Sequence, residues 1–139
     1  MAAAKQTMDS STGTLGQRIV LEFERRGGSA AHVAKLREMY QAKQHRGRAA
    51  LEREFAGTGV RWNDPDGGFY FWVRLPQGMS ARRLLDVALE EGVAFVPGDA
   101  FAIARDHSDA LRFSISGPTL DRIDEGVRRL RRAFDRVAS

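Results

Sequence analysis

Arg112 stands in the middle of Leu111-Arg-Phe-Ser-Ile-Ser116, on the side opposite Leu111, Phe113 and Ile115. A guanidinium mounted on a strand can make two parallel charge-assisted bonds to a carboxylate or phosphate. A strand also holds such a fork more firmly than a loop does. The commoner arrangement is an arginine on a solvated sheet face, and composition alone leaves both open. Pro97-Gly98-Asp99-Ala100-Phe101 reads either as a functional loop or as a simple strand exit. Asn63 to Gly68 is dense turn chemistry, and Gly67-Gly68 reads as part of that turn.

Other chemistries find little support. There is no cysteine, so disulfides, thiolate metal sites and cysteine nucleophiles are excluded. His32, His45 and His107 share no metal-ligand spacing with one another or with acids, and each is expected at the surface. No phosphate-binding glycine motif is present. The tail arginines 128, 129, 131, 132 and 136 lie on one side of a helical pattern with acids among them and no interleaved aromatics. A solvated helix face is the expected reading there, and no nucleic-acid partner is expected.

The elements that must carry Arg112 follow from periodicity. Leu15, Ile19, Val20 and Phe23 are spaced for a helix from about Ser11 to Arg26, capped by Ser10-Ser11-Thr12. Ser29 is expected to cap a second helix running to about Ala56. Its stripe is Val33, Leu36, Tyr40, Ala50, Leu51 and Phe55, with a bend expected at Gly47. Val60–Trp62 reads as a short strand. Phe69 to Leu75 alternates, placing Phe69, Phe71, Val73 and Leu75 inward and Tyr70, Trp72 and Arg74 outward. Ser80 caps a helix carrying Leu84, Leu85, Ala88 and Leu89, closed by Gly92, before a strand over 93–96. Pro118 is expected at the first position of a last helix. Its apolar residues are Leu120, Ile123, Val127, Leu130, Phe134 and Val137. The expected whole is α+β: a small, mainly antiparallel sheet covered by helices on one face.

The chain of 139 residues suits one ordinary domain, and its 42% hydrophobic content can build a core. No segment has the length and apolarity of a membrane span, and the N-terminus lacks the apolar stretch of a signal peptide. The net charge is +4, and 19 arginines stand against three lysines, at 5, 35 and 43.

Taken together, the segments resemble a known family. Asp64-Pro-Asp-Gly-Gly-Phe-Tyr-Phe-Trp-Val-Arg-Leu-Pro76 is similar to the P-x-G-G-x-F-x-W strand of class I/II aminotransferases. Glu91-Gly-Val-Ala-Phe-Val-Pro-Gly98 with Phe101 resembles the strand and loop that follow, and Leu111–Ser116 with Asp124–Leu130 the closing strand and helix. Ala4–Gln6 through Gln17–Ile19 resembles the segment after the cofactor domain. The nearest flavour is the 2-aminoadipate and aromatic aminotransferases, together with the aminotransferase-like half of MocR-type transcription regulators.

The resemblance implies the C-terminal small domain of a fold-type I, pyridoxal-phosphate-dependent enzyme. Residues 1–28 would be a connecting helix and 29–139 the small domain. Arg112 would grip the substrate α-carboxylate, while Pro97, Gly98 and Phe101 would shape the cleft. The family's Schiff-base lysine lies in a Ser-x-x-Lys context, which Lys5, Lys35 and Lys43 all lack. Pyridoxal catalysis needs that lysine and a partner for the ring nitrogen, so no catalytic residue and no specific cofactor binding are expected in this chain alone. The full-length protein is expected to be a cytoplasmic homo-oligomer using pyridoxal phosphate, an amino acid and a 2-oxo acid. The alternative is an effector or interaction module, from a MocR-type regulator or standing alone. The first helix and the Tyr70/Trp72 face are expected to pack on the rest of such a protein or on a second subunit.

Overall fold

The computed structural model describes residues 13–104 and 106–139. The Ser10–Thr12 cap and Lys5 lie outside the described residues. The chain divides into two compact units, one ending at Arg37 and one spanning Glu38–Ser139.

In the first unit, α1 is Thr14–Arg25, and α2, Gly28–Phe55, begins. Leu15, Ile19, Val20 and Phe23 share a stripe, yet no residue of α1 is buried. Ser29 does not cap α2. It lies inside the first turn and its hydroxyl donates to Glu24 of α1. Gly28 precedes it because a β-carbon there would lie 2.5 Å from the Phe23 ring.

The second unit is organised by the alternation seen in sequence. Strands β1 (Arg61–Trp62), β2 (Tyr70–Arg74), β3 (Val96–Pro97) and β4 (Ala110–Ser114) form one antiparallel sheet, ordered β1-β2-β4-β3. Phe71 and Val73 face Phe113 and Leu111 across the central pair, and Leu75 and Ile115 extend that face. Helices α3 (Ala81–Glu90) and α4 (Leu120–Ala138) cover it with Leu84 and Ala88, and with Ile123, Val127, Leu130 and Phe134. The C-terminal half of α2 adds Ala50, Leu51 and Phe55. This unit is α+β, with α3, α4 and the C-terminal half of α2 gathered on one face of the sheet, as expected.

Several local expectations are corrected. Gly47 marks no break in α2. It is buried, and a β-carbon would sit 2.7 Å from the Phe71 ring, so this glycine lets helix and sheet approach closely. Phe69 falls one residue before β2 and is 42% exposed. The sheet core ends at Phe71, and the Phe69 ring packs instead on Tyr40, 4.5 Å between centroids. Val33, Leu89 and Leu120 are likewise exposed rather than core. The strand expected at 93–96 pairs only from Val96, because the Val93 amide donates to the Ala88 carbonyl and closes α3. Gly92, with φ of 75°, makes that closure in the left-handed region. Ser80 does cap α3, accepting from the Arg83 amide. Pro118 precedes α4, whose N-cap is Thr119.

The arginine-rich tail is an ion-pair clamp between α3 and α4. Glu91 accepts from Arg132 at 2.9 Å and Arg136 at 3.0 Å, and Glu90 from Arg136 at 2.6 Å. Arg128 and Arg129 pair with Glu125, and Arg131 with Asp135. Hydrogen bonds from Arg132 and then Arg136 hold the Glu91 carboxyl below its ordinary value of 4.5. A folded-state pKa lowered in this way adds stability above the ordinary value, and that stability is lost as pH falls through the folded value. Glu91→Gln is therefore expected to melt below wild type at neutral pH, with the gap closing below about pH 4.5. Paired thermal melts across that range check it, and a gap independent of pH would refute it.

Candidate functional site

The open sheet face is the one turned away from the helices. Tyr70, Trp72 and Arg74 project from β2, and Arg112 and Ser114 from β4. Arg112 is paired in register with Trp72 on one side and Val96 on the other. Its guanidinium carbon lies 4.2 Å from the Tyr70 ring centroid and 4.7 Å from that of Phe101. Trp72 completes the cluster, with its ring 5.9 Å from Phe101 and 5.7 Å from His107.

Two stacked aromatic rings constrain a guanidinium without consuming its in-plane N–H donors. Among the described residues no carboxylate pairs with Arg112. That contrasts with Arg74, held by Asp109, Arg82, held by Asp99, and the clamp arginines of α4. Arg112 is thus a half-buried, pre-oriented cation with its fork available for an oxyanion.

The loop after β3 delivers Phe101. Pro97 is buried opposite Leu111, and the 3-10 turn Gly98–Phe101 follows directly. Gly98 is buried where a β-carbon would lie 2.5 Å from the His107 carbonyl and 2.9 Å from the Ala110 carbonyl. Asp99 accepts twice from Arg82, at 2.9 and 3.0 Å, fixing the turn against α3. The structure therefore brings Arg112 and Phe101 into contact, while Pro97 and Gly98 support the turn from within the fold. Sequence reasoning left Tyr70, Trp72 and His107 out of the site. The first two carried a signal, being large aromatics on the outward side of an alternating strand.

Lys43 donates its ammonium to the Ser116 carbonyl at 2.7 Å and lies 5.7 Å from the Tyr40 ring centroid. Lys35 sits exposed on α2. The Lys43 ammonium is thus engaged by the backbone of the segment after β4. No cluster of potential metal ligands exists among the described residues, and no helix there is long and apolar enough to cross a membrane.

Known proteins resemble this chain in sequence and fold. The model of the aminotransferase class I and II family matches residues 2–130. The 2-aminoadipate transaminase of Thermus thermophilus is 42% identical over 96% of this chain and 33% of its own length. Aromatic-amino-acid aminotransferase 1 of Thermococcus litoralis is 36% identical over 91% and 30%. The solved structure of an alpha-aminoadipate aminotransferase from Thermus thermophilus, complexed with N-(5'-phosphopyridoxyl)-L-leucine, superposes with a TM-score of 0.91 at 38% identity. That superposition covers 98% of this chain and 34% of the solved one. An HTH-type transcriptional regulator of Bacillus subtilis matches more distantly, at 26% identity over 97% of this chain and 27% of its own length. The chain spans about a third of the length of the transaminases it matches. With the family model matching residues 2–130 and a transaminase 42% identical over nearly the whole chain, the chain belongs to the class I and II aminotransferases.

Proposed function

We propose that residues 29–139 are the substrate-binding small domain of a pyridoxal-phosphate-dependent aminotransferase, with residues 1–28 as its connecting segment. The full-length protein transfers an amino group between an amino acid and a 2-oxo acid in amino acid metabolism. It works in the cytoplasm as a homo-oligomer. The observation that carries this reading is Arg112, stacked between Tyr70 and Phe101 with no acidic partner among the described residues.

In this role Arg112 binds the substrate α-carboxylate through its in-plane N–H donors. Tyr70 and Phe101 fix the plane of the guanidinium, so less rotamer entropy is lost on binding. Pro97 and Gly98 set the backbone that presents Phe101 and so shape the cleft. The cofactor and its lysine belong to other parts of the full-length protein. The regulator reading rests on the Bacillus subtilis relative, and in it Arg112 would hold a carboxylate effector. The higher identity to transaminases favours the enzyme.

Borohydride trapping tests the division of labour. Mixed with pyridoxal phosphate and reduced, this chain is expected to give no stoichiometric adduct at a single lysine by mass spectrometry. A one-to-one adduct accompanied by turnover would overturn the reading.

A further inference from the structure

A second basic feature lies at the end of the same sheet, away from the aromatic cage. Arg61 of β1 and Arg74 of β2 are direct cross-strand partners. Like charges in that register repel, so the pairing is unfavourable unless something neutralises it. One carboxylate is at hand. Asp109 accepts from a single Arg74 nitrogen, Nη1, at 3.1 and 3.2 Å. The remaining Arg74 donors have no carboxylate partner among the described residues, and neither has Arg61. The two arginines line a cavity of about 530 Å³ together with Gln77, Ser80 and Asp109. That is the size of a small-molecule site. Concave walls focus the uncompensated positive charge inward. Neither Arg112 nor Trp72 lines this cavity.

We propose that Arg61 and Arg74 form a second anion-binding site, which takes the carboxylate or phosphate group of a small metabolite. Two guanidinium forks on one strand pair present several donors to one oxyanion, and Asp109 leaves a net single positive charge for it. The site is independent of the transamination reading, because it uses none of the Arg112 cluster.

Amide chemical-shift titration of the chain tests it, with inorganic phosphate, acetate and chloride at matched ionic strength. Saturable shifts are expected at residues 59–61, 74–80 and 108–109. Arg61→Gln should weaken binding at least about tenfold, the loss of one charge-assisted fork. Arg61→Lys, which keeps the charge and loses the fork, should fall between. Arg112→Gln should leave these shifts unchanged. A response to phosphate alone or acetate alone identifies the group and supports the site. Equal shifts with chloride, or shifts spread over all the arginines, would overturn it.

Discussion

In the full-length aminotransferase, Arg112→Ala is expected to lower kcat/KM by about 10²–10³-fold, equivalent to roughly 3–4 kcal/mol for a desolvated charge pair. The loss should fall on substrates that carry an α-carboxylate. A substrate whose carboxylate is replaced by an amide loses the same bonds from the other side, so wild type and variant should converge on it. That cycle separates the carboxylate contact from any general damage to the domain. Arg112→Lys keeps the charge on a flexible stem and forfeits the bidentate geometry, so it should recover only part of the loss. If the grip is equally strong in ground and transition states, KM rises while kcat holds. Steady-state kinetics on the acid and its amide decide the matter. Equal losses on both substrates, or a loss below about threefold on the acid, would remove Arg112 from the carboxylate site.

The legible part of the fold was the part set by periodicity. The alternation in 69–75 and 111–116 put Phe71, Val73, Leu111, Phe113 and Ile115 on the buried face. It put Arg112 on the other face, which made this arginine a candidate before any contact was known. The spacing Ile123, Val127, Leu130, Phe134 likewise became the buried stripe of α4. What stayed hidden depends on neighbours distant in the chain. Phe69 continues the alternation by one residue, but the sheet stops covering it there and Tyr40, 29 positions earlier in the sequence, takes its place. Gly47 looks like a helix breaker locally. Only the Phe71 ring crossing it shows that the missing side chain serves packing. Tyr70 could be read as outward-facing, yet its stacking on Arg112 requires the β2–β4 register, which no local pattern encodes. The resemblance to the family drew Arg112 and the Pro97–Phe101 loop together ahead of the structure. It said nothing of the Arg61–Arg74 pair, which exists only through the β1–β2 register.

Gly98→Ala is expected to destabilise the domain by about 2–4 kcal/mol, the upper range for overpacking a site that cannot relax. The added β-carbon would meet the His107 carbonyl at 2.5 Å, the Ala110 carbonyl at 2.9 Å and the Ala110 side chain at 3.0 Å. Two of these atoms are backbone, and a flexible side chain cannot swing out of the way. The His107 carbonyl already accepts from the Ala110 amide at 2.9 Å, so moving it breaks the turn that leads into β4. The neighbouring Asp109 carbonyl accepts from Leu75 at 2.8 Å and that of Ser108 from Ala81 at 2.8 Å, which ties the turn to β2 and to the start of α3. For a unit of this size the cost corresponds to a melting temperature lower by roughly 10–20 °C. Displacing the 107–110 turn also separates His107 from Trp72 and shifts Phe101 relative to Arg112, so the near-ultraviolet circular dichroism of the tryptophans should change even in the folded variant. Gly117→Ala is the control, because a β-carbon there meets nothing within 4 Å. Comparable melting temperatures for the two variants would mean that the turn yields to the methyl group, and that Gly98 does not hold the loop presenting Phe101.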